Sequence, residues 1–171
     1  MQRLDKSFFH RPCLTVAQAL VGKILVHKTP AGELRLRISE TEAYCGADDT
    51  ACHAHKGKTR RNEVLWAPPG TVYVYLCYGM HWLMNIVTGE AGQPEAVLIR
   101  ACVDAPGPGR LTKALGITGT QNQDDVTVSG ELWVEDDGTS WEIIPDTRVG
   151  IGYAAKEDQE KLWRFKIGKQ Q

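Results

Sequence analysis

The stretch Leu34-Arg35-Leu36-Arg37-Ile38-Ser39-Glu40-Thr41-Glu42-Ala43-Tyr44 decides how this chain is read. Leu34, Leu36 and Ile38 alternate with Arg35, Arg37 and Ser39, the period of a half-buried strand. Carried forward in the same phase, Glu40, Glu42 and Tyr44 fall on the side that Leu36 and Ile38 bury. A carboxylate on an apolar face is costly unless it is paired, hydrogen-bonded or neutral. Groups in that position are enriched where chemistry is done. The competing reading ends the strand near Glu40 and leaves both acids as ordinary loop carboxylates.

The strand opens a longer run, Arg37 to Asn62, that adds Cys52, His53, His55 and the cations Lys56, Lys58, Arg60 and Arg61 with no acid among the last seven residues from His55. Net charge over 171 residues is −1, so bulk charge alone announces no polyanionic partner. One basic loop can still grip phosphate, and a solvated loop is the alternative. Acids collect elsewhere, at Asp124-Asp125 and Glu135-Asp136-Asp137.

On both sides of this run the chain reads as short elements. Thr15-Val16-Ala17-Gln18 has the form of a capping box and predicts a helix from about Val16 to Val21, stopped by Gly22. Lys23–His27 reads as a strand that turns through Thr29-Pro30-Ala31-Gly32 into Glu33–Glu40. Thr71–Tyr78 is the most strand-like run, and Gly79-Met80-His81 bends it back into Trp82–Val87, so Tyr78 sits at a hairpin tip. Ala96–Cys102 is a nearly continuous apolar strand holding one cation, Arg100, for which Glu42 is a candidate partner. A helix is expected over Arg110–Leu115. Short strands are expected over Val126–Val128, Glu131–Glu135, Ser140–Ile144 and Lys161–Ile167. The sum is a single domain over residues 1–171, α+β, with a curved, mostly antiparallel sheet and a few short helices.

With 42% apolar and 24% charged residues the chain is globular, and no apolar run reaches membrane-span length. The N-terminus lacks the apolar core of a secretory signal, which predicts a cytoplasmic protein. Five cysteines, an odd count with no C-x-x-C, read as reduced, mostly packed thiols. Cys45, Cys52, His53 and His55 invite a zinc reading. Their C-x6-C-H-x-H spacing matches no usual site, so no metal is expected. A G-x-S-x-G elbow and a P-loop are absent. Hydrolysis by a carboxylate base steadied by an arginine fits better, beside rings (Tyr44, Tyr75, Tyr78) suited to stacking a nucleobase.

Several segments sharpen this: Glu40-Thr41-Glu42-Ala43-Tyr44, Cys52-His53, Arg61-Asn62, Pro69 to Tyr75, Tyr78-Gly79-Met80, Met84-Asn85-Ile86, Val97 to Ala101, Gly107 to Ile117 and Arg148-Val149-Gly150-Ile151-Gly152. In that order, over nearly the whole chain, they resemble the alkyladenine (3-methyladenine) DNA glycosylase family. The resemblance implies a monofunctional glycosylase of base-excision repair that flips an alkylated or deaminated purine, of 3-methyladenine or hypoxanthine type, from double-stranded DNA. Hydrolysis of its N-glycosidic bond leaves an abasic site. By motif, Glu42 is then the base that activates water, and Arg100 and the Val149 carbonyl help hold that water. Tyr44, His53 and Tyr75 sandwich the base, Asn85 crowds the pocket floor against guanine, and Tyr78 is the wedge. Lys56, Lys58, Arg60 and Arg61 would hold phosphate, with Arg60 standing where the family is expected to carry proline. Tyr153 stands where some relatives have histidine. No cofactor, no Schiff-base lysine, no membrane, a monomer and a nucleoid-associated location complete the implied picture. A binding module that kept the pocket and lost catalysis, and a metal hydrolase centred on Cys45, Cys52, His53 and His55, are the rivals.

Overall fold

The strand read first turns out to be the long spine of the sheet. In the computed structural model, which describes residues 1–171, β3 runs unbroken over Gly32–Tyr44. Before it come β1 (Gln2–Arg3), α1 (Lys6–Phe9), α2 (Cys13–Leu20) and β2 (Ile24–Thr29). After it come β4 (Val72–Cys77), β5 (His81–Thr88), β6 (Glu95–Cys102), α3 (Pro108–Leu115), β7 (Leu132–Asp136), β8 (Trp141–Asp146), α4 (Lys156–Glu160) and β9 (Arg164–Gln170). The sheet order is β1-β7-β2-β3-β6-β5-β4, and β9 joins β3 while pairing with β8. Each of these pairings is antiparallel. The α+β reading holds.

β3 has the length to serve two neighbourhoods. Its first half pairs with β2, and its second half lies between β6 and β9. Between the halves the β3–β6 register breaks twice, between Ile38 and Glu40 and between Glu40 and Thr41. Through this kink the core-facing position advances by an odd step on both strands, from Ile38 to Thr41 and from Cys102 to Ile99. Bulges of this kind re-aim the side chains that follow them. Glu42 and Tyr44 therefore point away from the face that Ile38 buries, which corrects the phase carried forward from Leu34. The face opposite the core is where Glu42, Leu98, Asn85 and Tyr73 line up as register partners.

The core lies between the other face and two helices. On α2 the buried residues are Cys13, Val16, Ala17 and Leu20, an i, i+3, i+4, i+7 stripe. The stripe begins at Cys13 behind Pro12, so Thr15 and Gln18 lie inside the helix rather than capping it. The capping box that does form is at Thr118 and Gln121, on a short 3₁₀ turn. α3 has Pro108 in its first turn and the left-handed Gly116 after its last, and it buries Leu111, Thr112 and Leu115. Val126–Val128 is turn rather than strand, and the isolated Thr71–Asp125 bridge lies just before it. α4 has no counterpart in the sequence reading.

Cys13 and Cys45 are joined as a disulfide, their Cα atoms 6.3 Å apart, whereas Cys52, Cys77 and Cys102 are free. The expectation of uniformly reduced thiols is corrected for that pair. α2 packs its first turn against the end of β3, a tertiary contact that cysteine spacing does not reveal. No helix is long and apolar enough to cross a membrane.

Candidate active site

Two irregular segments roof the polar face of the sheet: the loop from Cys45 to Asn62 and the loop from Thr147 to Ala155. Between them and the strands lies a cavity of about 630 Å³. β3 contributes Glu42 and Tyr44, β4 contributes Tyr73 and Tyr75, β6 contributes Arg100, and the loops contribute His53, Val149 and Tyr153. Asn85, from β5, lines a smaller inner recess of about 40 Å³ together with Tyr44, His53 and Tyr75.

Glu42 is 1% exposed, and each oxygen of its carboxylate accepts one hydrogen bond. One oxygen accepts the Val149 amide at 2.7 Å, and the other accepts the Tyr44 hydroxyl at 3.0 Å. The Arg100 Nε lies 3.9 Å from Glu42 and 3.6 Å from Glu40, as an ion pair shared by two acids. That nitrogen makes no hydrogen bond within the chain. Burial raises the proton affinity of Glu42 above the usual carboxylate range. The Val149 amide, Arg100, Tyr44 and Arg148 work in the opposite direction. The Tyr44 hydroxyl is held protonated by burial and by the neighbouring Glu42 charge.

The aromatic wall is itself a bonded group. His53 Nδ1 and the Tyr73 hydroxyl are 3.0 Å apart, and the His53 and Tyr75 rings meet edge to face with centroids 4.6 Å apart. Burial, then the Arg61 charge, lowers the pKa of His53, which favours the neutral ring. Burial pushes the Tyr73 hydroxyl up to about 12. Asn85 donates to the Tyr73 carbonyl at 3.2 Å, which fixes its amide at the recess floor.

Tyr78 sits at the tip of the β4–β5 hairpin and is 91% exposed. The Cys77–Met80 turn has positive φ at both central residues, 52° at Tyr78 and 64° at Gly79. Hairpin twist favours such mirror-image turns, but a tyrosine is an expensive occupant of that position. The ring is on the rim of the same cavity.

The basic loop divides. Lys56 and Arg61 line the cavity; Lys58 and Arg60 do not. Lys58 lies over the Trp66 ring at 5.7 Å, and Arg60 is exposed. Arg61 donates to the Leu76 carbonyl at 3.0 Å and lies 5.7 Å over Tyr75. The four side chains of the zinc reading do not converge. Cys45 is bonded to Cys13, His53 faces Tyr73, and His55 Nδ1 lies 2.7 Å from the Ala47 carbonyl.

Sequence reasoning gave no site role to four residues, Tyr73, Tyr153, Arg148 and Asp49. Tyr73 shares the alternation that marks Tyr75, so its signal was present. Tyr153 lines the cavity with its hydroxyl bonded to the Ala51 carbonyl at 2.7 Å. Arg148 and Asp49 form a buried ion pair at 2.6 Å behind Tyr44; Asp49 reads in the sequence as one of two loop acids.

The chain matches the family model described as Methylpurine-DNA glycosylase (MPG), over residues 7–105 and 103–171. A protein of Methanocella arvoryzae is 45% identical, with 96% of this chain and 92% of the relative aligned. Proteins of Natranaerobius thermophilus and Borreliella afzelii are each 40% identical, with 96% of this chain and 95% of each relative aligned. All three carry the name "Putative 3-methyladenine DNA glycosylase".

Proposed function

The chain belongs to the methylpurine-DNA glycosylase family, and from that footing we propose that it turns a damaged purine out of duplex DNA and releases it with a water activated by Glu42. As a DNA glycosylase it is a hydrolase of N-glycosyl bonds, and DNA is its substrate. The finer reading rests above all on one observation: a carboxylate 1% exposed, hydrogen-bonded on both oxygens, stands in an aromatic cavity beside an arginine. A structural acid would gain nothing from an open, ring-lined space in front of it.

Removing a base from the stack costs a few kcal/mol, least for damaged or mismatched pairs. Tyr78 offsets part of that cost by filling the gap, as apolar wedges do. Tyr44, His53 and Tyr75 receive the flipped purine. An N-alkylated purine is cationic, and a cation over rings gains ~0.5–2 kcal/mol. Such a base also leaves without a general acid, so one carboxylate suffices where ordinary glycosidases use two. Glu42 takes the proton of the attacking water, and its charge favours the oxocarbenium-like sugar. Arg100 steadies that charge. The Val149 carbonyl accepts no hydrogen bond from the chain, so it is free to orient the water. Asn85 crowds the recess against the exocyclic amine of guanine. Lys56 and Arg61 hold the flanking phosphates. The protein acts as a monomer.

The test is release of 3-methyladenine and of hypoxanthine from duplex oligonucleotides. Glu42→Gln is expected to abolish release of both while binding to abasic DNA persists. Release at the parent rate would remove Glu42 from the role of base.

A further inference from the structure

The shortest hydrogen bond on Glu42 comes from Val149, and the residue before Val149 is the most deeply buried arginine of the chain. The Arg148 side chain is 0% exposed, and that of Asp49 is 1% exposed. Two guanidinium nitrogens donate to the two Asp49 oxygens at 2.6 and 2.9 Å, and they also reach the Ala43 carbonyl at 2.9 Å and the Asp158 carbonyl at 3.3 Å. The guanidinium carbon lies 4.9 Å from the ring centroids of both Tyr44 and Trp163. Asp49 in turn accepts the amides of Cys45 at 3.0 Å and Ala51 at 3.1 Å. The pair thus ties the end of β3, the loop after it and the Thr147–Ala155 loop to one point. A buried ion pair is a weak source of stability, because well-packed apolar residues often do as well. It is a strong source of position, because a planar fork with several bonds has one orientation.

We propose that Arg148, locked on Asp49, is a positioning residue for the catalytic carboxylate: it fixes the Val149 amide and the Tyr44 ring so that both donors reach Glu42 together. The inference rests on reading Glu42 as the base. The groups facing Glu42 are Tyr44 and Glu40 on its own strand, Arg100 on β6, Tyr75 on β4, and Arg148 and Tyr153 on the Thr147–Ala155 loop. Only the Arg148 unit touches both hydrogen-bond donors. Loosening it weakens two bonds to the ionised form, so Glu42 then ionises at higher pH.

Arg148→Lys keeps the charge and loses the fork. Single-turnover release of 3-methyladenine, which is cationic while bonded to the sugar, is followed against pH, with affinity for a duplex carrying an abasic-site analogue measured beside it. The acid limb of the rate profile is expected to move up by roughly one pH unit, the scale of hydrogen-bond effects on a carboxylate. Affinity for the abasic duplex, which presents no base to Tyr44, stays unchanged. Asp49→Asn makes the contrast sharper. Deleting a negative charge near Glu42 would by itself move the limb down, whereas a freed Arg148 moves it up, and up is expected. A limb that stays or falls in either folded variant overturns the proposal. Should neither variant fold, hydrogen exchange in the parent protein decides. A Val149 amide as protected as that of Ala43 supports the lock, and a freely exchanging one overturns it. Glu42→Gln assayed in parallel separates the two ideas. If it is inactive while the Arg148→Lys limb is unmoved, only the positioning role falls; if it is active, the base assignment falls.

Discussion

In the proposed role Glu42 must be ionised to take a proton from water, and its burial resists that. The structure compromises: two hydrogen bonds and two nearby arginines recover part of what desolvation costs. The remainder is a standing destabilisation of the fold. Its sign follows from linkage. The folded-state pKa lies above the unfolded value, so the unfolded chain gives up the proton more readily. Stability is therefore lost as pH rises from the unfolded value through the folded one, and the penalty is complete once pH has passed the folded value. Glu42→Gln keeps an acceptor for Val149 and removes the charge. We expect it to raise Tm at pH 7 by a few degrees, the usual response to regaining about 1 kcal/mol in a domain of this size. The gain should vanish by about pH 3, below the ordinary Glu value of about 4.3, where the parent carboxyl is protonated in both states. Thermal melts of parent and variant at the two pH values check this, and a gain equal at both would show that charge is not its source. Tyr44, His53 and Tyr75, which the family resemblance grouped, do line one cavity. Asp49 and Arg148 were not legible in the sequence: a pair 99 positions apart in the chain leaves no local pattern.

The β4–β5 hairpin carries Tyr78, the proposed wedge, at a conformational cost, and this can be measured separately from DNA binding. At φ 52° Tyr78 occupies left-handed backbone that glycine enters freely. Tyr78→Gly is expected to stabilise the protein by about 1 kcal/mol, the scale of left-handed strain on an ordinary residue. Affinity for lesion-containing duplex is expected to fall at the same time. Urea midpoints and fluorescence anisotropy with labelled duplex test the two halves. Unchanged affinity would mean that Tyr78 does not enter the stack. The hairpin was legible because a long β-branched and aromatic run meets Gly79. β3 was legible only in part. Its existence and its acids follow from alternation, yet alternation cannot anticipate the paired irregularity at Ile38–Thr41 that turns Glu42 from the core face to the site face. Period-two reasoning thus singled out Glu42 and assigned it the wrong side. The capping motif at Thr15 failed for a related reason: the buried stripe beginning at Cys13 outweighs a local signal.

Across the whole molecule, two couplings set what the site can do. The Cys13–Cys45 bridge closes a loop of 32 residues and ties α2 to the residue that follows Tyr44. A loop of that length predicts a loss of up to about 3–4 kcal/mol on reduction or in Cys13→Ser, from unfolded-chain entropy. Denaturant melts with and without reductant measure it. The second coupling is electrostatic. The acids around β7 are matched within the chain, Asp136 by Lys23, Glu135 by Arg35 and Asp137 by Arg37. The loop cations make no such pairs, so a protein of net charge −1 presents an uncompensated positive rim beside its cavity. Phosphate contacts release counterions, and the logarithm of affinity falls with the logarithm of salt in proportion to their number. Two to four contacts predict a slope of about −2 to −4. Lys56→Ala at the cavity mouth should make that slope shallower by about one, whichever base is opposite, as a pure phosphate contact does. Arg60→Ala tests whether the exposed arginine also reaches DNA, and a shallower slope there would extend the footprint outward from the cavity. Arg61→Ala is expected to do more than either. Its guanidinium also holds the Leu76 carbonyl and covers Tyr75, so its loss should lower the release rate as well as the slope. A salt-insensitive affinity in the parent protein would remove phosphate gripping from the account, leaving the aromatic pocket and the Tyr78 wedge to bind DNA alone.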